Sequence, residues 1–281
     1  MLIILLRFEI IGQPMLTMSF RYSDRKIAKL FHGEDLQPSI KYHHFQGHRL
    51  RYVELITNKS LPYVIFIHGA PGSSADYYDY FRNEELYSKV NLLSIDRLGY
   101  GYSEFGNSQT SIQLQGEAIH SIIEKSCSTN NVILVGHSFG GPIAVRMAMD
   151  HPTSYKSLLL LAPALDPENE KEIKIAYLAI SKPTRWITPV ALRVAADEKF
   201  AHSEELRKML SSYGKIEIPV CHIHGNEDSL VPFKNMEFSK KHFNSNLLES
   251  ITLDREDHFL PWSQKELIER KIIEAASRNQ D

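Results

Sequence analysis

The chain has 281 residues, of which 43% are hydrophobic, and this is enough to bury a large core in one domain or in a domain with an insertion. Its 32 Lys and Arg residues nearly balance its 34 Asp and Glu residues, and the net charge of −2 argues against a nucleic-acid partner. Cys127 and Cys221 lie far apart without a CxxC motif. This argues against a zinc site or a disulfide framework and fits a reducing, cytoplasmic location.

The N-terminus carries a short apolar run, Leu2 to Leu6, which Arg7 and Glu9 interrupt. A signal peptide would place its basic residue before a longer apolar stretch. A membrane span needs about 20 apolar residues. We therefore predict that residues 1–38 form an N-terminal extension without a stable membrane span. The alternative is that this short apolar segment associates with a membrane or directs export.

Eight segments have the pattern of β-strands. The first two surround Gln46-Gly47-His48, which is typical of a hairpin. Most of the others are continuous apolar runs, which are typical of parallel strands buried on both faces. The predicted strands are 40–45, 50–55, 63–67, 92–95, 132–135, 158–161, 220–223 and 250–253.

Segments with helical spacing separate most of these strands. Their apolar stripes run over residues 112–123, 143–148, 233–243 and 267–273. The alternation of strand and helix predicts a mostly parallel eight-stranded sheet with helices on both faces.

Residues 166–218, called the cap segment below, contain no predicted strand. Three short helices are predicted there, over 168–180, 184–196 and 203–213, and Pro183 and Pro189 are predicted to separate helical parts of the segment. We predict a small helical cap inserted into a core formed by residues 39–165 and 219–281. Its large apolar residues either line a substrate pocket or form the cap's own core; they are Tyr177, Trp186, Leu192, Phe200 and Tyr213.

Five of the predicted strands are followed by motifs rich in glycine and polar residues. In an open α/β sheet, ligands bind outside the carboxyl ends of the strands. The motifs are HGAPG (68–72), DRLGYGYS (96–103), GHSFGG (136–141), HGNEDSLVP (224–232) and DREDHFLP (254–261). Ser138, Asp228 and His258 therefore all follow strand ends, in that chain order.

These motifs resemble those of the α/β-hydrolase fold. A G-x-S-x-G turn between strand and helix and the order Ser, Asp, His are typical of that family, and the resemblance runs from about Ile40 to Ser277. One G-x-S-x-G match is weak evidence, whereas five motifs at successive strand ends are strong evidence. The HGxPG and DRxGxGxS forms narrow the resemblance to the branch with a serine nucleophile and small substrates. The resemblance implies a hydrolase of a small-molecule substrate that needs no metal or organic cofactor.

A serine hydroxyl is a weak nucleophile that needs an adjacent base. We predict that Ser138 is the nucleophile, that His258 is its general base and that Asp228 orients the imidazole. Other carboxylates lie close in sequence to these residues: Glu227, Asp254 and Asp257. Asp228 is preferred because its place, three residues after Gly225, matches the position of the family's acid.

The oxyanion of an acyl-transfer intermediate needs backbone donors. The N–H of Phe139, the residue after the nucleophile, is predicted to be one donor. The resemblance implies that the N–H of Ala70 is the second, with His68 ordering its loop. His137 either contacts substrate or is packed, and the sequence leaves both open.

Two further pairs of residues could be taken for functional groups. Asp96 and Arg97 are predicted to be structural, with Asp96 accepting hydrogen bonds from nearby amides. His222 and His224 alternate on a strand and resemble a metal-binding pair. No further ligand stands at a suitable spacing, so a structural role is predicted for them as well.

The function predicted from this pattern is cleavage of a small or medium acyl substrate, first of all a carboxylic ester, through an acyl-enzyme. Haloalkane dehalogenases and epoxide hydrolases of this fold carry Asp at the nucleophile position, so Ser138 argues against both. Proline iminopeptidases share the HGxPG motif but usually have a Gln between the Asp and Arg of the next motif. Asp96 and Arg97 are adjacent here, which argues against that class. Carbon–carbon bond hydrolases, peptidases and cofactor-free haloperoxidases remain open, as does a non-catalytic receptor or scaffold. Substrate identity and oligomeric state are not encoded in any recognisable motif.

Overall fold

The computed structural model describes residues 21–127 and 130–278, in which eight strands form one sheet. The strands are β1 (Ser39–Phe45), β2 (His48–Leu55), β3 (Tyr63–Ile67), β4 (Asn91–Ile95), β5 (Val132–His137), β6 (Ser157–Leu161), β7 (Val220–Gly225) and β8 (Leu248–Leu253). Their order is β1-β2-β4-β3-β5-β6-β7-β8. Only the β1–β2 and β2–β4 pairs of this sheet are antiparallel. The predicted mostly parallel eight-stranded sheet is therefore confirmed.

Ten α-helices connect or flank these strands in the described part of the chain. They are α1 (Asp24–Leu30), α2 (Glu84–Tyr87), α3 (Ile112–Ser126), α4 (Gly140–Asp150), α5 (Lys174–Ile180), α6 (Lys182–Arg185), α7 (Val190–Met209), α8 (Lys234–His242), α9 (Leu260–Ser263) and α10 (Lys265–Ser277). None of these described helices combines the length and the apolar character that a bilayer crossing requires.

The sheet separates two hydrophobic clusters, and β3 contributes to both. Its Ile65 and Ile67 pack in one cluster with apolar residues of α3 and α4. Val64 and Phe66, which alternate with them, pack in the other cluster with residues of α1 and α10. Because successive strand residues point to opposite faces, a strand covered on both sides must be apolar throughout. This explains the continuous apolar runs in the sequence.

Part of the predicted N-terminal extension packs against one of these clusters. Ile27 of α1 and the following Phe31 are buried there. The apolar run Leu2 to Leu6 lies outside the described residues.

The cap segment contains α5, α6 and α7, and the predicted break between residues 196 and 203 is wrong. Helix α7 runs without interruption for 20 residues. Its buried face repeats every three or four positions, as an amphipathic helix requires, at Ala191, Val194, Glu198, His202, Leu206 and Met209. Glu198 and His202 are polar, so a pattern of apolar residues at helical spacing does not include the middle of this buried stripe. The predicted first helix also begins later, at Lys174.

Helix α7 is tied to the end of β4 by a buried ion pair between Glu198 and Arg97. Both side chains are fully buried, with 2.6 Å between Arg97 Nη1 and Glu198 Oε1. Tyr100 Oη donates to Glu198 Oε2 at 2.6 Å, and Gln115 Nε2 donates to Oε1 at 2.8 Å. A buried charge is tolerated only when it is paired and hydrogen bonded, and these contacts supply both conditions.

The same guanidinium also holds the loop that follows β3. Arg97 Nε donates to the carbonyl of His68 at 2.9 Å, and Nη2 donates to the carbonyl of Gly69 at 3.0 Å. Its neighbour Asp96 accepts the amides of Ser74 and Tyr102 at 2.8 and 2.9 Å, so its predicted role as an acceptor of nearby amides is confirmed. Arg97 thus links the cap segment to two loops at the carboxyl edge of the sheet.

We expect Glu198→Gln to lower the free energy of unfolding by about 3–5 kcal/mol, because it leaves the buried Arg97 without a negative partner. Urea denaturation measures this loss. The matched control is Asp197→Asn on the same helix, which removes a partly exposed pair with Arg185 and is expected to cost about 1 kcal/mol or less. Small losses of equal size in both variants would contradict a structural role for the buried pair.

Candidate active site

Ser138 lies on a sharp turn between β5 and α4, in a backbone conformation that L-residues rarely adopt. Its φ is 53°, in the left-handed region. Its N–H donates to the carbonyl of Leu161 at 3.0 Å, and its carbonyl accepts the amides of Gly141 and Ala164 at 3.0 and 3.2 Å. These bonds fix both peptide groups beside Ser138, so the surrounding structure enforces the turn.

Close backbone contacts explain the glycines around this serine. A Cβ atom on Gly136 would lie 2.6 Å from the carbonyl oxygen of Gly140, and one on Gly140 would collide with the carbonyl oxygen of Ile67. The start of α4 therefore packs directly against the end of β3. This contact also places the loop after β3 next to the serine, since a Cβ on Gly69 would lie 3.0 Å from Ser138 Cβ.

His258 follows β8 and is hydrogen bonded to Asp228, which follows β7. The distance from His258 Nδ1 to Asp228 Oδ2 is 2.7 Å. Asp228 Oδ1 accepts the amides of Leu230 and Val231, both at 2.8 Å. Because Nδ1 donates to a carboxylate, the neutral imidazole has its lone pair on Nε2, the nitrogen that a general base would use.

Two of the neighbouring carboxylates, those of Asp254 and Asp257, have other partners. Asp254 Oδ1 accepts from the side-chain amide of Asn226, and Asp257 Oδ1 accepts from the backbone N–H of Phe259. Of the acids that compete in the sequence, the structure therefore joins Asp228 to His258.

His137 connects the serine turn to the His258 loop. Its Nε2–H donates to the carbonyl of His258 at 3.0 Å, and the two rings lie 4.8 Å apart between centroids. Burial lowers the pKa of His137 to about 3, so it stays neutral. No hydrogen bond joins Ser138 Oγ to His258 in the described residues, and such contacts often tighten only when substrate binds.

A second histidine contacts the same carboxylate, and the sequence did not predict this contact. His224 Nε2 lies 3.2 Å from Asp228 Oδ2 and 3.2 Å from the carbonyl of Val231. Both partners are acceptors, so Nε2 carries the hydrogen. Burial alone would raise the pKa of Asp228, but hydrogen bonds from His224 and His258 outweigh it and hold that pKa well below its ordinary value.

A chain of hydrogen bonds runs from His224 into the protein interior. His224 Nδ1 lies 3.0 Å from His222 Nε2, and His222 Nδ1 lies 2.8 Å from Ser239 Oγ. Each of these imidazole nitrogens therefore has a hydrogen-bond partner. Across residues 21–127 and 130–278, no group of three or more His, Cys, Asp or Glu side chains is placed to hold a metal ion. The signal available in the sequence was the alternation of two histidines on the strand that leads to Asp228.

In the loop after β3, the backbone N–H of Ala70 points away from Arg97. His68 Nδ1–H donates to the carbonyl of Gly69 at 2.7 Å, and Arg97 holds the same carbonyl. In a planar trans peptide the carbonyl and the following N–H point in opposite directions, so the N–H of Ala70 points away from Arg97. Within the described residues, neither this N–H nor that of Phe139 is hydrogen bonded to an acceptor.

Comparison of the sequence with known proteins indicates the same fold. The family model described as alpha/beta hydrolase fold matches residues 62–193. The chain is 32% identical to the 1-acylglycerol-3-phosphate O-acyltransferase of Arabidopsis thaliana over 133 residues, which are 44% of this chain and 31% of that protein. It is 23% identical to the lysophosphatidylserine lipase ABHD12 of Xenopus tropicalis over 209 residues, 70% of this chain and 50% of that one. The chain thus spans half or less of these relatives.

A solved structure gives the same picture of the fold. A crystal structure of a membrane phospholipase A, a bacterial virulence factor, superposes with a TM-score of 0.69 at 16% identity and covers 99% of both chains. The match of the family model, the sheet order and the serine turn after β5 agree, and they show that the chain has the α/β-hydrolase fold.

Proposed function

We propose that the chain is a serine hydrolase that cleaves carboxylic esters through an acyl-enzyme. The observation that carries this proposal is the left-handed turn at Ser138, which stands at the same sheet edge as the hydrogen-bonded pair His258 and Asp228. A serine on such a turn is exposed at the top of the sheet, where a substrate carbonyl can reach it.

In the proposed reaction, Ser138 Oγ attacks the ester carbonyl carbon while His258 Nε2 takes its proton. The carbonyl oxygen becomes an oxyanion that accepts hydrogen bonds from the N–H groups of Ala70 and Phe139. His258 then protonates the leaving alkoxide, which departs as an alcohol. Water, deprotonated by the same imidazole, hydrolyses the acyl-enzyme and releases the acid and free Ser138.

Asp228 acts on the imidazole and stays ionised throughout. Its lowered pKa keeps it negative next to the imidazolium that forms during attack. Its hydrogen bond to Nδ1 fixes the tautomer that leaves Nε2 available, and His224 holds the carboxylate from its other side.

For the substrate we propose a fatty-acyl ester of a lipid. The names of the relatives support this choice, since lysophosphatidylserine and 1-acylglycerol-3-phosphate carry a fatty acyl ester and phospholipase A acts on one. The proposed cleavage adds water across that ester and releases a fatty acid.

We further propose that the cap segment covers this site. His202 of α7 packs its ring against Phe139, with 4.6 Å between centroids. Val194 on the same helix packs close to Gly99 in the loop after β4. Helix α7 therefore reaches the residue next to the nucleophile, where it can contact the acyl group of a bound ester.

We expect the protein to hydrolyse p-nitrophenyl esters of increasing acyl length and a monoacyl phospholipid. Ser138→Ala is expected to lower kcat/KM by at least about a thousandfold, because the oxyanion donors alone give little turnover. Release of p-nitrophenol and of fatty acid measures this. Equal turnover in the variant would refute the proposed nucleophile.

Failure of the wild type on every ester would instead favour the other activities of this fold, carbon–carbon bond cleavage, peptide cleavage or haloperoxidation. Tight binding of an ester without turnover would favour a receptor. Both outcomes would contradict the proposed ester hydrolysis, and neither would bear on the assignment of the fold.

The choice of acid is tested separately. We expect Asp228→Asn to reduce kcat roughly 10³- to 10⁴-fold, because an amide no longer fixes the imidazole tautomer or stabilises its positive charge. Asp254→Asn is the matched control, since Asp254 pairs with Asn226, and we expect it to change kcat by less than about twofold. A larger loss of kcat in Asp254→Asn than in Asp228→Asn would assign the role of the catalytic acid to Asp254.

A further inference from the structure

The cap segment carries an exposed apolar surface. Six of the ten large apolar side chains that are exposed in the described residues lie between positions 177 and 200. We call this set the cap patch; its members are Tyr177, Leu178, Ile180, Trp186, Ile187 and Phe200.

In the cap patch the large apolar side chains are exposed, whereas the small apolar side chains beside them are buried. Trp186 is 75% exposed and Ile187 58%, whereas the small side chains of Ala176, Ala179 and Ala196 form the local buried cluster. Burial of large apolar side chains is favourable in water, so helices that face only water would turn the larger residues inward. A cluster of exposed apolar residues of this kind marks a surface that another apolar phase or partner covers.

Short-range contacts hold the patch together. The rings of Tyr177 and Phe200 lie 5.1 Å apart between centroids and connect α5 to α7. Thr184 Oγ1 donates to the carbonyl of Leu178 at 2.6 Å, which fixes α6 against the end of α5. Trp186 directly follows α6, and its indole Nε1–H donates to the carbonyl of Pro183 at 2.9 Å.

The charge around the patch is positive. Residues 174–200, which include the whole patch, contain five of the chain's 32 basic residues and two of its 34 acidic residues, Asp197 and Glu198. Lys174 and Lys182 are exposed, while Arg185 is paired with Asp197. Both acids are paired, Asp197 with Arg185 and Glu198 with the buried Arg97.

We propose that the cap patch docks on an anionic lipid surface. Tryptophan, tyrosine and aliphatic side chains enter the boundary between headgroups and acyl chains, and lysines beside them attract acidic headgroups. A second copy of the chain fits less well, because a twofold interface would bring the patch and its lysines against themselves. The inference goes beyond the proposed function, since docking needs no catalysis.

The composition of the chain allows a local measurement, because Trp186 and Trp262 are its two tryptophans. In a Trp262→Phe protein that also carries Ser138→Ala, fluorescence reports on Trp186 alone and the vesicle lipids are not hydrolysed. We expect vesicles of phosphatidylcholine with phosphatidylglycerol to shift this emission to the blue. The shift is expected to be weaker with phosphatidylcholine alone and to diminish as salt is added.

Vesicle sedimentation tests the two parts of the patch. We expect Trp186→Ser with Ile187→Ser to weaken partitioning into anionic vesicles by at least about tenfold, and Lys174→Ala with Lys182→Ala to weaken it by roughly tenfold or more. Leu36→Ser is the matched control, because Leu36 is exposed outside the cap segment, and it is expected to sediment like the parent protein. Circular dichroism checks that each variant is folded.

Several results would overturn the proposal. Trp186 emission that does not respond to anionic vesicles would do so, as would sedimentation that survives replacement of Trp186 and Ile187. Equal, salt-independent binding to phosphatidylcholine would remove the role of the lysines. A dimer in solution that the Trp186 and Ile187 substitutions abolish would assign the patch to a second copy. Loss of ester hydrolysis in Ser138→Ala bears only on the proposed function, so the two proposals fail separately.

Discussion

The left-handed backbone at Ser138 is the constraint on which the rest of the site depends. Such a conformation costs on the order of 1–3 kcal/mol for a residue with a side chain, and it persists because its flanking peptides are hydrogen bonded to the end of β6 and to α4. The close approach of Gly140 to β3 leaves no room for the turn to relax. The hydroxyl is thereby held at the sheet edge where the other loops converge.

Buried polar groups then arrange those loops around the serine. Arg97 fixes the two carbonyls of the loop after β3 and pairs with Glu198 of α7. His137 holds the backbone at His258, and His224 holds the carboxylate of Asp228. Each of these groups replaces water by a fixed partner, so the proposed oxyanion donors and base are oriented before substrate arrives. The cap segment is part of this arrangement, because α7 supplies one of the buried charges.

Much of the fold could be predicted from the sequence because the evidence for it is local. Apolar runs such as Val132–Val135 indicate buried strands, and the glycines around Ser138 indicate a close backbone approach. The continuity of α7 could not be predicted from an apolar stripe, since Glu198 and His202 interrupt it. Their burial depends on partners such as Arg97, about a hundred positions away in sequence. The contact of His224 with Asp228 depends likewise on how the loop after β7 turns back.

The nucleophilic role of Ser138 is tested most directly by covalent labelling with a fluorophosphonate probe, followed by mass spectrometry of the labelled peptide. The expected result is a single phosphonylated peptide with the adduct on Ser138 in the wild type, and no adduct in a folded Ser138→Ala variant. Heat-denatured wild type is expected to remain unlabelled, because the reactivity requires the folded turn and its base. An adduct on another residue, or labelling that persists in Ser138→Ala, would contradict the account.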